Sequence, residues 1–159
     1  MSNMLGLLLC LFGGAAGIGD LVKLDIKGGV GHWGAISMST DGSKVIGTSL
    51  ELIWTSTDGA TTWTASSVAA NDVLVTPDGS KMFALTKLTV GERIRVSTDD
   101  GSTWSDTGSP NVMSWMCMAT NTDGSKIVAA GTDSPIMMSS DSGGLPRNSQ
   151  TLVVRSHLG

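Results

Sequence analysis

The chain has 159 residues, enough for one folded domain with a real core, and its 40% hydrophobic and 15% charged content is that of a folded rather than a disordered chain. Twenty-one glycines among short apolar runs and many Ser, Thr and Asp residues predict an all-β class of short strands and tight turns. A formal charge of −4, with ten dispersed Lys and Arg residues, argues against nucleic acid as a partner, because phosphate binding needs a concentrated basic surface.

Residues 1–20 form an apolar leader with no charge from Met4 to Gly19, and 21–29 a linker or strand. Three readings of the leader stay open. It fits a signal peptide except that no Lys or Arg precedes it. It is short of the roughly 20 apolar residues of a membrane span, though an anchor of this kind would make membrane a partner. It could also be buried against the repeats or a neighbouring subunit. A leader of this kind goes with an extracytoplasmic, surface or virion-associated location.

Two turn signatures then alternate. Thr40-Asp41-Gly42-Ser43-Lys44 returns as Pro77-Asp78-Gly79-Ser80-Lys81 and as Thr122-Asp123-Gly124-Ser125-Lys126. Each Asp-Gly pair lies between short apolar runs, where Asp accepts N–H groups of its own turn and Gly supplies a positive φ, so each predicts a hairpin. The second signature is Ser56-x-Asp58-x-Ala60-x-x-Trp63, which returns as Ser97-x-Asp99-x-Gly101-x-x-Trp104 and begins a third time as Ser139-x-Asp141-x-Gly143, with Pro146 where Trp is expected.

This S-x-D-x-G-x-x-W pattern resembles the Asp box of the bacterial-neuraminidase-type repeats of sialidases, sortilin-like receptors and other β-propellers, and most resembles a subgroup without a catalytic domain. The resemblance covers residues 30 to about 144. The second copy fits every position, and the first has Ala60 in place of Gly. The resemblance implies a partial β-propeller of about three four-stranded blades, consistent with box spacings of 41 and 42 residues. The blades are expected at 30–66, 67–107 and 108–146, within a repeat region of 30–146, followed by an atypical tail at 147–159. Ile53, Ile94 and Ile136, each three residues before a box Ser, are expected to recur as one inward position. Thr89-Val90-Gly91-Glu92 reads as a longer connection within the second blade.

The resemblance also implies structural roles for Ser56, Asp58, Trp63, Ser97, Asp99, Gly101, Trp104, Ser139, Asp141 and Gly143, the Asp and Ser bonding within the turn and the Trp packing on its hairpin. A carboxylate so satisfied is a poor general base. No catalytic residue, cofactor or metal is expected. Cys10, Cys117, His32 and His157 have no ligand spacing, and the loops of Asp58, Asp99 and Asp100 offer too few oxygens for calcium. Of the remaining tryptophans, Trp115 is expected to pack between blades, and Trp54 is the candidate for stacking on a carbohydrate. A sialidase needs a tyrosine nucleophile and three arginines; this chain has no tyrosine, and two of its four arginines, Arg147 and Arg155, lie in the tail. Glu51, Asp72, Glu92 and Asp106 have no assigned role and are the candidates for any inverting glycosidase chemistry.

The expected function is thus a non-catalytic propeller scaffold for protein or carbohydrate binding. The alternatives are a structural subunit of a large assembly such as a virion, or part of a larger glycan-active propeller. Three blades leave two apolar sheet faces open, which self-association or a protein partner would cover.

Overall fold

The computed structural model describes residues 32–88, 91–109, 115–132 and 136–141. The apolar leader, the 21–29 segment, Gly143 and the 147–159 tail lie outside them. The described residues are all-β, in ten strands: β1 Trp33–Met38, β2 Val45–Ser49, β3 Leu52–Ser56, β4 Thr64–Val75, β5 Met82–Leu88, β6 Gly91–Ser97, β7 Ser105–Asp106, β8 Trp115–Thr120, β9 Ile127–Gly131 and β10 Met137–Ser139. Every pairing is antiparallel between neighbours in sequence, as expected when short turns join the strands.

Strand β4 belongs to two sheets. Its first half pairs with β3 through Leu52↔Ala69 and Thr55↔Thr64, and its second half pairs with β5 from Ala70↔Thr86 to Val75↔Met82. The outermost strand of the first sheet therefore runs without a loop into the innermost strand of the second. The third sheet has three strands among the described residues, ordered β10-β9-β8.

The three sheets pack face against face. Ile46 and Ile53 of the first sheet meet Val73, Val75, Met82 and Ala84 of the second in one buried cluster. Phe83, Leu85 and Ile94 of the second sheet meet Trp115, Ile127 and Ala129 of the third in another. The run Met82-Phe83-Ala84-Leu85 explains the arrangement, because alternate side chains point to opposite faces and all four are apolar. Met82 and Ala84 serve one interface, and Phe83 and Leu85 the other. Trp115 is the first residue of β8 and is buried between the second and third sheets.

Two expectations are corrected. Thr89 to Glu92 is not a long connection: β5 and β6 pair through Lys87↔Glu92 and Leu88↔Gly91, so the strands are longer and only residues 89–90 link them. Ile53 and Ile94 are buried, but Ile136 is exposed. The next sheet covers each of the first two; no described sheet follows the third, and the pairing of β10 starts one residue later, at Met137↔Ala129.

Candidate functional site

The polar chemistry is concentrated at one end of the sheets, in the turns. In the first Asp-Gly turn, Asp41 Oδ1 accepts the Ser43 N–H at 3.0 Å and the Ser39 hydroxyl at 2.6 Å, and Gly42 takes a φ of +73°. Asp78 repeats this with Ser80 N–H at 2.9 Å and the Thr76 hydroxyl at 2.6 Å, and Asp123 with Ser125 N–H at 3.0 Å. Hydroxyl donation, from Ser39 to Asp41 and from Thr76 to Asp78, is the largest influence holding both carboxyls down at about 2. The Asp123 carboxyl is lowered chiefly by the Ser125 N–H.

The tryptophan turns are built the same way. Asp58 accepts the Thr62 hydroxyl at 2.6 Å and the Thr61 and Thr62 N–H groups at 3.1 and 2.8 Å, while Ser56 Oγ donates to it at 2.8 Å. Asp99 accepts the Thr103 hydroxyl at 2.6 Å, the Thr103 N–H at 2.9 Å and the Ser97 hydroxyl at 2.7 Å. Both carboxyls sit at about 2, with the Thr62 and Thr103 hydroxyls the leading causes. Trp63 and Trp104 close their turns by donating Nε1–H to the carbonyls of Ala60 and Gly101, each at 3.1 Å. In the third copy Ser139 Oγ donates to Asp141 at 2.6 Å.

Successive Asp-Gly turns are bonded to one another. Thr40 N–H donates to the Pro77 carbonyl at 2.8 Å, and Asp78 N–H to the Thr122 carbonyl at 3.2 Å. Proline has no N–H, so at the second rung the donor moves one residue along the turn. The turn lysines cross the same seams: Lys44 Nζ pairs with Asp100, and Lys81 Nζ donates to the Asp123 carbonyl at 2.9 Å.

The carboxylates left unassigned by sequence lie elsewhere. Glu92 accepts Trp115 N–H at 2.6 Å and the Asn71 amide at 2.7 Å, joining the second and third sheets. Asp72 sits at a β-bulge between Ala70 and Asp72 that aims it at β8, where it accepts Met118 N–H at 3.3 Å. Burial pushes its carboxyl up, against the N–H groups of Val73 and Met118. Asp106 pairs with Arg93 at 2.8 Å. Sequence reading missed the Glu92 and Asp72 links, since partners 23 and 46 residues away leave no local signal.

Trp54 is half-buried rather than open: its ring lies edge-on to Trp33 with centroids 6.5 Å apart, and its Nε1 is buried without a partner. Trp33 also meets Trp63 at 5.5 Å. A shallow groove lies between the two tryptophan turns, lined by Thr55, Thr62, Ala65, Asp99 and Gly101. Among the described residues no three His, Cys, Asp or Glu side chains group as metal ligands, and no helix is long and apolar enough to cross a membrane.

No protein-family profile and no curated protein sequence matches the chain. Solved structures do. The GH74 enzyme of Niastella koreensis superposes with a TM-score of 0.55 at 23% identity, over 70% of this chain and 17% of its own. A nidogen–laminin complex gives 0.59 at 13%, over 74% and 47%, and YCF48 of Cyanidioschyzon merolae gives 0.57 at 19%, over 78% and 38%. YCF48 has also been solved bound to a D1 peptide. The chain spans less than half the length of each of these structures. Sheets of short antiparallel strands packed in series, and this likeness to propeller proteins, make the described region a partial β-propeller.

Proposed function

We propose that the chain is a non-catalytic propeller scaffold that binds protein, and that its tryptophan turns are Asp boxes of the sialidase and sortilin kind. One observation carries the reading: six of the carboxylates are engaged in holding the fold. Asp41, Asp58, Asp78 and Asp99 are saturated by their own turns, and Glu92 and Asp72 accept backbone N–H groups of the neighbouring sheet. A general acid or base needs a proton it can exchange with substrate near the working pH, and carboxyls at about 2 do not offer one. The absence of tyrosine from the sequence supports the same reading against sialidase chemistry.

Protein binding fits the apolar side chains left exposed on the first and third sheets, among them Trp33, Ile36, Met38, Ile136 and Met138. The nidogen–laminin and YCF48–D1 peptide structures show that folds of this kind can meet protein. A surface or extracytoplasmic location goes with this proposal through the uncharged leader. The test is turnover of aryl sialosides and of xyloglucan by the purified chain, alongside its Glu92→Gln variant. We expect no hydrolysis above buffer; turnover abolished by Glu92→Gln would overturn the reading.

A further inference from the structure

The scaffold reading leaves open which protein covers the exposed faces of the first and third sheets. Counting back eight, five and three residues from the turn Asp gives Trp33, Ile36 and Met38 in the first sheet and Ala70, Val73 and Val75 in the second. In the third it gives Trp115, Met118 and Thr120. Ala70, Val73 and Val75 are 2–3% exposed because the first sheet lies on them, and Trp115 is 2% exposed beneath the second. Trp33, Ile36 and Met38 occupy the same places and are 37%, 65% and 61% exposed.

The opposite faces show the complementary gap. Ile53 and Ile94, three residues before the Ser of each tryptophan turn, are 0% and 5% exposed under the following sheet, whereas Ile136 is 50% exposed. Among the described residues one interface thus occurs twice, from first sheet to second and from second to third, and two halves of a third lie unmatched.

We infer that a second copy of this chain supplies the missing half, with the third sheet of each copy seated on the first sheet of the other. The inference rests on the protein-binding reading above. The turn contacts extend in register: the rung made by Thr40 to Pro77 and by Asp78 to Thr122 continues from Thr122 N–H to Thr40 C=O of the second copy. Lys44 and Lys81 each reach the next sheet, and Lys126, at the same turn position, is exposed and reaches no other sheet among the described residues. Repetition of the Lys81 contact places its ammonium on the Asp41 carbonyl of the second copy.

One steric detail fits as well. Gly101 packs on Thr55 so closely that a Cβ would lie 2.7 Å from Thr55 Cγ2. The residue equivalent to Gly101 in the first sheet is Ala60, and the one equivalent to Thr55 in the third is Met138, a flexible side chain that can give the extra methyl room. Two copies joined at both seams form a closed twofold ring of six sheets, within the range of about 4–8 blades that propellers adopt.

The test is the solution mass of the full chain by light scattering, together with cross-linking. We expect twice the 16.3 kDa chain mass, falling to the single mass in both Met38→Asp and Ile136→Asp. Because Asp72 touches the Met118 backbone, its equivalent Cys117 should lie against position 36 of the second copy. Ile36→Cys in a Cys10→Ser background should therefore form an intermolecular disulfide with Cys117, and Glu51→Cys, on the β2–β3 turn, should not. A monodisperse monomer of the unaltered chain, or a dimer that survives both Asp variants, overturns the inference. The scaffold reading fails separately: a dimer that hydrolyses glycosides sinks that reading and leaves the ring, whereas an inactive monomer does the reverse.

Discussion

The two tryptophan turns carry almost the same internal hydrogen bonds and differ in what lies beneath them. Around Asp99 the turn rests on the first sheet: Gly101 abuts Thr55, Asp100 takes Lys44, and Trp104 packs on the cluster of Ile46, Val75 and Met82. Around Asp58 the turn rests on no other described sheet, and Trp63 packs on Trp33, itself exposed. Both turns put two successive residues at positive φ, Gly59 and Ala60 in one and Asp100 and Gly101 in the other. The glycine is placed where a neighbour leaves no room for a Cβ, and where none presses on the turn an alanine occupies the same left-handed position. Local bonding therefore sets the shape of the turn, and the adjoining sheet sets its sequence.

Substitutions should expose that difference. Trp104→Ala should cost about 3 kcal/mol, since it opens the seam between two sheets, and Trp63→Ala about half of that, both read by urea denaturation. Gly101→Ala should cost about 2 kcal/mol, because it adds a methyl against buried Thr55 to an unfavourable φ. Ala60→Gly has the opposite sign and should stabilise by about 1 kcal/mol, as glycine relieves the left-handed strain at φ +67°. If Gly101→Ala were as mild as a surface change, the seam would not be what selects glycine.

The smallest contrast is in acid. Asp58 and Asp99 have nearly the same donors and both sit at about 2, below the ordinary 3.8. Their contribution to stability is therefore complete above about pH 4 and is lost as pH falls toward 2. Carboxyl ¹³C shifts followed by NMR should place both in that window, whichever sheet they touch. Asp72, raised by burial, should titrate above 3.8, and its protonation should relieve the folded state rather than weaken it.

Legibility in the sequence followed the range of the interaction. The all-β class and the Asp-Gly hairpins can be read from a few adjacent residues, because Asp and Gly carry the turn geometry with them. The run Met82 to Leu85 likewise announces a strand buried on both faces. The links of Glu92 to Trp115 and Asp72 to Met118 cannot be read this way, since they depend on β-bulges and on how two sheets meet. Ile136 repeats the pattern of Ile53 and Ile94 yet is exposed, because burial belongs to the neighbour and not to the residue. Trp54 shows the same limit: its surroundings are made by Trp33, which precedes it by 21 residues.

Strand β4 carries a consequence for how the molecule comes apart. Twelve residues from Thr64 to Val75 are bonded first to β3 and then to β5, with no turn at which a protease could separate the first sheet from the second. Amide exchange along β4 should therefore report one opening event for both sheets, so that the first two repeats, distinct in sequence, behave as a single cooperative unit.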